Sequence, residues 1–264
     1  MEKGKVKDFL VASKDEVVNA VAESDMLPSV VEEVADIVVS EGVAEIIGTL
    51  MGTFVPRING IRLSYKQNRF ETRVAGALTL LAKRIDVMEA NYAALTEGIQ
   101  EKFRSIYVEW LLDNLEVEKQ QEKVPYHVNG FINLMSNESN DNLMLMFFDT
   151  MNQITQLDID VLEMYGRDSQ ESVISLCDRY NLKLEQVSVI KEKLERLGLV
   201  RSRNDEQRDN NIDEIVDYLS KVAKEQKKNN PKSVRFPNIK KPNRSTSYEI
   251  TSLGRDYLRV ISDK

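Results

Sequence analysis

The residue types that could carry chemistry in this chain are few, and their spacing limits what they can do. His127 is the only histidine and Cys177 the only cysteine. A Ser-His-Asp or Cys-His device would have to use His127, yet its surroundings (Pro125-Tyr126-His127-Val128-Asn129) suggest no nucleophile nearby. We read it as a partly buried polar side chain. Cys177 lies between Leu176 and Asp178 within a helical pattern, where a buried structural thiol fits better than a reactive one. One histidine and one cysteine cannot close a His/Cys zinc site within a chain, and a lone cysteine forms no internal disulfide. Gly42, Gly48 and Gly52 have no lysine after them and no strand before them, so they read as close helix packing rather than a phosphate loop. Glu32-Glu33, Asp158/Asp160 and Asp209/Asp213 are carboxylate pairs, but with 43 acidic residues such pairs arise by chance. No catalytic, metal or cofactor residue is assigned, no cofactor is expected, and the chain is read as a non-enzyme.

Charge is the stronger signal. The net charge of the 264 residues is −7. Between Lys221 and Arg244 lie nine lysines and arginines against only Glu225, a net +8, which leaves −15 on the remainder. Such asymmetry can guide one segment to a polyanion or to an acidic protein surface. The candidate nucleic-acid or partner-binding residues are therefore Lys191, Lys193, Arg196, Arg201, Arg203, Lys227, Lys228, Lys232, Arg235, Lys240, Lys241 and Arg244. Arg235 and Phe236 together offer a charge and a stacking ring. A DNA-reading helix-turn-helix lays its second helix in the major groove. Here that helix carries Glu185, Glu192 and Glu195 against Lys191, Lys193 and Arg196, a neutral face poorly suited to phosphate.

The elements that must position these residues are mostly helical. Six prolines and eleven glycines are few, which suits helices. Helical spacing runs from Val6 to Ala22. It resumes near Ser24 to Pro28, continues through Val34, Ile37 and Val38 to Ile47, and breaks at Pro56. Val74, Leu78, Leu81, Ile85, Met88, Tyr92, Leu95 and Ile99 then form a heptad-like seam that predicts one long helix. Another helix of the chain, or a second copy as a homo-oligomer, must cover it. Glu116 to Lys123 reads as a solvated helix end or a connection, and Leu143 to Ile154 as a helix buried on most sides.

The last third reads as a winged helix. Helices are expected over about Ser169–Tyr180 and Leu184–Leu197, the second burying Leu184, Val187, Ile190, Leu194 and Leu197. Gly198 stops it, Leu199–Arg203 can pair with Tyr248–Thr251, and a final helix capped by Thr251 or Ser252 buries Leu253, Tyr257, Leu258 and Ile261. The 44 residues from 204 to 247 sit where a wing has a short loop. Within them a helix is expected from about Asn211 to Lys228, followed by a mobile basic stretch. The fold class is mainly α: a helical bundle domain over 1–150 and a winged-helix domain with a basic insertion over 151–264.

The N-terminus lacks a secretion signal. The uncharged stretch Ile46–Pro56, eleven residues, falls short of the roughly 20 that span a bilayer. A cytoplasmic protein without a membrane span is expected.

Trp110-Leu111-Leu112-Asp113-Asn114-Leu115 and Gln153-Ile154-Thr155-Gln156-Leu157-Asp158-Ile159-Asp160-Val161-Leu162 resemble two signatures of the bacterial abortive-infection alpha proteins. Ile250-Thr251-Ser252-Leu253-Gly254-Arg255 is similar to the closing Leu-Thr-x-x-Gly-Arg of winged segments in such proteins. The resemblance spans residues 40 to 165 and rests on core and capping residues, so it implies fold and transfers no catalytic residue. It implies a non-enzymatic interaction protein of a phage-defence or prophage system, docking on a phage or host protein. The alternative is a DNA-binding regulator using the basic insert 221–244.

Overall fold

The computed structural model describes residues 3–6, 37–60, 64–136, 141–166, 172–230, 232–239 and 247–263, with 3, 4, 52–60, 64, 205 and 206 described by their backbone alone. They are mainly helical, with two small antiparallel sheets of two strands each. The chain divides into two compact units: Met1–Ile159 with Tyr257–Lys264, and Asp160–Asp256. Of the helices read over 6–22 and from Ser24 onward, residues 7–36 fall outside the described residues.

In the first unit β1 (Lys3–Lys5) pairs with β2 (Val38–Ser40), Gly4 opposite Val39. The apolar run read as one helical pattern through Val38 is thus divided. The β-branched pair Val38-Val39 extends to complete a sheet, and α1 (Glu41–Gly60) begins directly after it. Nor does Pro56 break this helix. A proline removes only its own donor, and the helical turns on both sides continue.

The heptad seam does not form one long helix. It is cut into α2 (Ser64–Lys83), α3 (Ile85–Ala93) and α4 (Glu97–Lys102), then a π-turn over Phe103–Tyr107 and α5 (Val108–Val117). The first cut is Arg84, at φ −109° and ψ 20°. Its buried guanidinium donates to Asn129 Oδ1 at 2.8 Å and Asn133 Oδ1 at 3.1 Å. Val74, Leu78, Leu81, Met88 and Tyr92 are buried, because α2 packs on α5 and on α6 (Val124–Leu134), and α3 also packs on α6. The seam therefore closes within the chain, and those residues have no surface left for the second copy considered above. Gly42 fits the close-packing reading, since a Cβ there would fall 2.4 Å from the Tyr92 ring. Gly48 does not, as nothing lies within 4 Å of its Cβ position.

α7 (Asp141–Gln153) buries one face only. Met144, Phe147, Phe148 and Met151 are inside, while Leu143, Leu145 and Met146 are exposed. α8 (Gln156–Met164) opens on Thr155, whose N–H donates to Asp158 Oδ2 at 2.6 Å.

The second unit is built from α9 (Val173–Tyr180), α10 (Leu184–Arg196), β3 (Val200–Ser202), α11 (Arg203–Gln226), β4 (Tyr248–Ile250) and the start of α12 (Ser252–Ile261). β3 and β4 pair antiparallel as expected, Val200 opposite Ile250 and Ser202 opposite Tyr248. α11 begins at Arg203, eight residues earlier than the composition indicates, because the Ser202 hydroxyl caps it by accepting from Asn204 N–H at 3.2 Å. The last turn of α12 belongs to the first unit. There Asn129 and Asn133 amides donate to the carbonyls of Ile261, Val260 and Ser262 at 2.7–3.1 Å and satisfy the otherwise orphaned end of that helix.

Among the described residues, no helix is long and apolar enough to cross a membrane.

Candidate functional site

α9 and α10 are joined by a tight turn in which Asn181 adopts the left-handed conformation, φ 51° and ψ 50°. Asparagine tolerates that region better than most side chains. Leu182 N–H then returns to Cys177 O at 2.8 Å, and Lys183 N–H donates to Gln186 Oε1 at 2.8 Å to open α10. Cys177 is buried, as a structural thiol should be. α10 ends at Gly198, φ +73°, a conformation that favours glycine.

The closing segment locks onto this turn. Thr251 Oγ1 donates to Gly198 O at 2.7 Å and accepts from Gly254 N–H at 2.9 Å, so Thr251 is the cap of α12. Gly254 lies so close that a Cβ would stand 2.1 Å from Leu199 O. The Thr-x-x-Gly spacing thus has a physical cause: the threonine caps the helix while the glycine lets it press on the strand.

The candidate cations are placed unequally. Arg201 stands directly across from Glu249 in the sheet, with Nε 2.6 Å from Oε1, and Arg203 Nε lies 3.2 Å from Oε2. Both guanidinium groups hold the Glu249 carboxyl below the usual carboxylate range. Lys191 is half-buried with its ammonium over the Tyr165 ring, 5.8 Å from the centroid, and burial lowers its pKa. Lys193 is half-buried and Arg196 exposed. Lys228 pairs with Glu225 at 2.5 Å, and the Lys232 N–H reaches the same carboxylate at 3.2 Å. Lys227, Lys232 and Arg235 are exposed. Phe236, rather than being a free stacking ring, packs edge-on to Tyr218 with centroids 5.0 Å apart. Lys240, Lys241 and Arg244 lie outside the described residues.

α10 turns outward a mostly polar side (Glu185, Gln186, Ser188, Glu192 and Arg196 are exposed), with two apolar residues standing out beside them. Leu184 is 60% exposed and Val189 62%, and Ile174 on α9 is also exposed. Val187 and Leu194 are buried, Ile190 and Leu197 are half-buried, and Leu253 on α12 is exposed rather than buried. Sequence periodicity misses this surface, since an apolar residue at helical spacing is assigned to a core by default. The counter-ion Glu249 was also missed; the signal for it was the strand register, which sets it opposite Arg201.

One further cluster lies in the first unit, where a solvated connection was expected. Glu118 and Lys123 are buried instead, Lys123 Nζ being 2.5 Å from Glu118 Oε2 and donating to Met151 O at 2.7 Å. His127 is fully buried, not partly, with Nε2 3.1 Å from the same carboxylate oxygen. Glu118 Oε1 accepts from Lys119 and Gln120 N–H groups at 2.7 and 2.9 Å. These bonds hold the Glu118 carboxyl at about 2 against its own burial, while burial pushes the His127 imidazole down. The groups are committed to one another and to backbone, an arrangement that pins the α5–α6 connection. Of the carboxylate pairs, Asp158 serves the Thr155 turn, Asp160 accepts from Arg179 and Tyr180 at 2.7 and 2.6 Å, and Glu32-Glu33 lie outside the described residues.

Comparison of the chain with protein-family models, with curated proteins and with solved structures finds no match.

Proposed function

We propose that the second unit is a winged helix with an insertion in its wing, appended to a helical bundle, and that it works by docking on another protein. The helix-turn-helix, the two-stranded wing and the closing helix follow in the order that module requires. The observation that favours docking over nucleic-acid reading is the outward side of α10: apolar Leu184 and Val189 and acidic Glu185 and Glu192 are exposed where a DNA-reading helix needs cations and hydrogen-bond donors. The wing arginines share Glu249, which offsets one of their two charges. With the family resemblance, this supports a non-enzymatic interaction protein of a bacterial phage-defence or prophage system, recognising a phage or host protein.

The reading is tested by phage challenge of cells carrying the gene. Leu184→Asp with Val189→Asp places two charges at exposed sites, so folding and protein level should be unchanged while protection is lost. Full protection by that variant would overturn docking through α10. A DNA-binding regulator remains the second reading, favoured by the exposed Lys227, Lys232 and Arg235. It requires duplex DNA retention at low salt that falls about 10³-fold or more between 50 and 200 mM, with charge reversal at Lys227, Lys228, Lys240 and Lys241 abolishing it.

A further inference from the structure

The insert carries an apolar stripe that neither reading uses. α11 is 24 residues long, about 36 Å of helix. The chain's own segment 232–239 lies along one side of it. Lys232 reaches Glu225, Phe236 packs on Tyr218, and Asn238 shares a concavity with Gln207, Asn211 and Glu214, with Asp213 also on its lining. The other side is left open. Ile212, Val216 and Leu219 are 55%, 56% and 57% exposed, and with exposed Ala223 they follow steps of four, three and four, a straight stripe down one helix face.

On one flank of this stripe the charges are sorted along the axis, while Arg208 stands on the other flank. Asp209 and Asp213 flank its N-terminal half, and Lys224 and Lys227 flank the same side of its C-terminal half. Turning the helix end for end therefore exchanges acid for base. In an antiparallel pair of identical helices like flanks face each other, so Asp209 and Asp213 of one copy meet Lys224 and Lys227 of the other. The same alignment sets Ile212 against Ala223 and Val216 against Leu219, large against small in every layer, and opposes the helix dipoles favourably. In a parallel pair unlike flanks face each other, so these acids and bases would not meet.

We infer that α11 is a homodimerisation helix, and that its occupant is the α11 of a second copy lying antiparallel across a two-fold axis between Val216 and Leu219. This assembly uses a different surface from the α10 face and does not depend on what α10 binds. It replaces the Val74–Ile99 seam, which is closed inside the chain, as the route to a homo-oligomer.

Sedimentation of the full chain over about 1–100 μM, a range that brackets micromolar association, should give twice the chain mass at the upper end. Leu219→Asp, at an exposed site that leaves circular dichroism unchanged, should sediment as a monomer. Asp209→Lys with Asp213→Lys should weaken association about tenfold or more, as expected for like charges across an interface. Adding Lys224→Glu and Lys227→Glu to that variant should restore it, an outcome only the antiparallel arrangement produces. A monomer throughout, a dimer indifferent to Leu219→Asp, or a fourfold variant no tighter than the double one would each overturn the inference.

Discussion

Glu118 is the residue whose environment most exceeds its sequence context. One of its carboxylate oxygens serves both a lysine and a histidine, and all three side chains are buried. Replacing Glu118 by Gln leaves the Lys123 ammonium buried without its counter-charge, so stability should drop by about 3–5 kcal/mol in urea unfolding. The same cluster sets a pH dependence. Burial holds the His127 imidazole below its ordinary value of 6.5 in the folded chain. The unfolded chain therefore binds more protons below that pH, and stability falls as the pH drops under about 6.5. Glu118 is depressed from 4.5 to about 2. Its contribution is complete above 4.5 and is lost as the pH falls from there toward 2. Denaturant midpoints should thus decline in two stages on acidification, and His127→Phe should remove the first. A midpoint unchanged between pH 7 and 5 would contradict the burial of a neutral histidine.

At the scale of elements, the contact between α12 and the α10–β3 turn explains a motif that periodicity alone cannot. The Thr251 hydroxyl closes the helix end, and Gly254 allows the helix to touch Leu199 O. Gly254→Ala should destabilise by about 1–3 kcal/mol through overpacking against backbone that cannot yield. Thr251→Ala should cost about 1 kcal/mol through loss of the cap. Thermal melts of the two variants should fall in that order, and an alanine at 254 that melts like the parent would refute the contact. Elements built on local chemistry were legible beforehand. The α9–α10 turn was marked by Asn181, the end of α10 by Gly198, and the β3–β4 pairing by two short β-prone runs. Elements decided by a distant partner were not. Arg84 leaves a strong heptad because Asn129 and Asn133, 45 and 49 residues away, bind its guanidinium. Val38–Ser40 leaves a helical run because Lys3–Lys5 offers it a sheet.

At the scale of the whole chain, the division into two units falls at Ile159/Asp160, with the last turn of α12 returned to the first unit. That return is invisible in the pattern, since Tyr257 and Ile261 look the same whichever core receives them. The basic insert was legible as charge. Its organisation was not: Glu225 sits among the lysines as a local anchor for Lys228 and the Lys232 N–H, and α11 begins at the strand itself. The antiparallel dimer predicted for α11 belongs at this scale, because it concerns apolar surface that one copy leaves uncovered.

The order of residues by itself determined that this protein is mainly helical, where its tight turns fall, and that its cations concentrate in one insertion, because caps, turns and charge act over a few residues. The tertiary structure alone decided which apolar stripes are covered and which charges are cancelled. The Val74–Tyr92 ridge and the Ile212–Leu219 stripe have the same kind of spacing, yet one is buried and the other open. Arg201 and Arg203 look free in sequence and are held by Glu249. Burial and pairing are properties of what lies opposite, and what lies opposite is set by contacts between residues far apart along the chain.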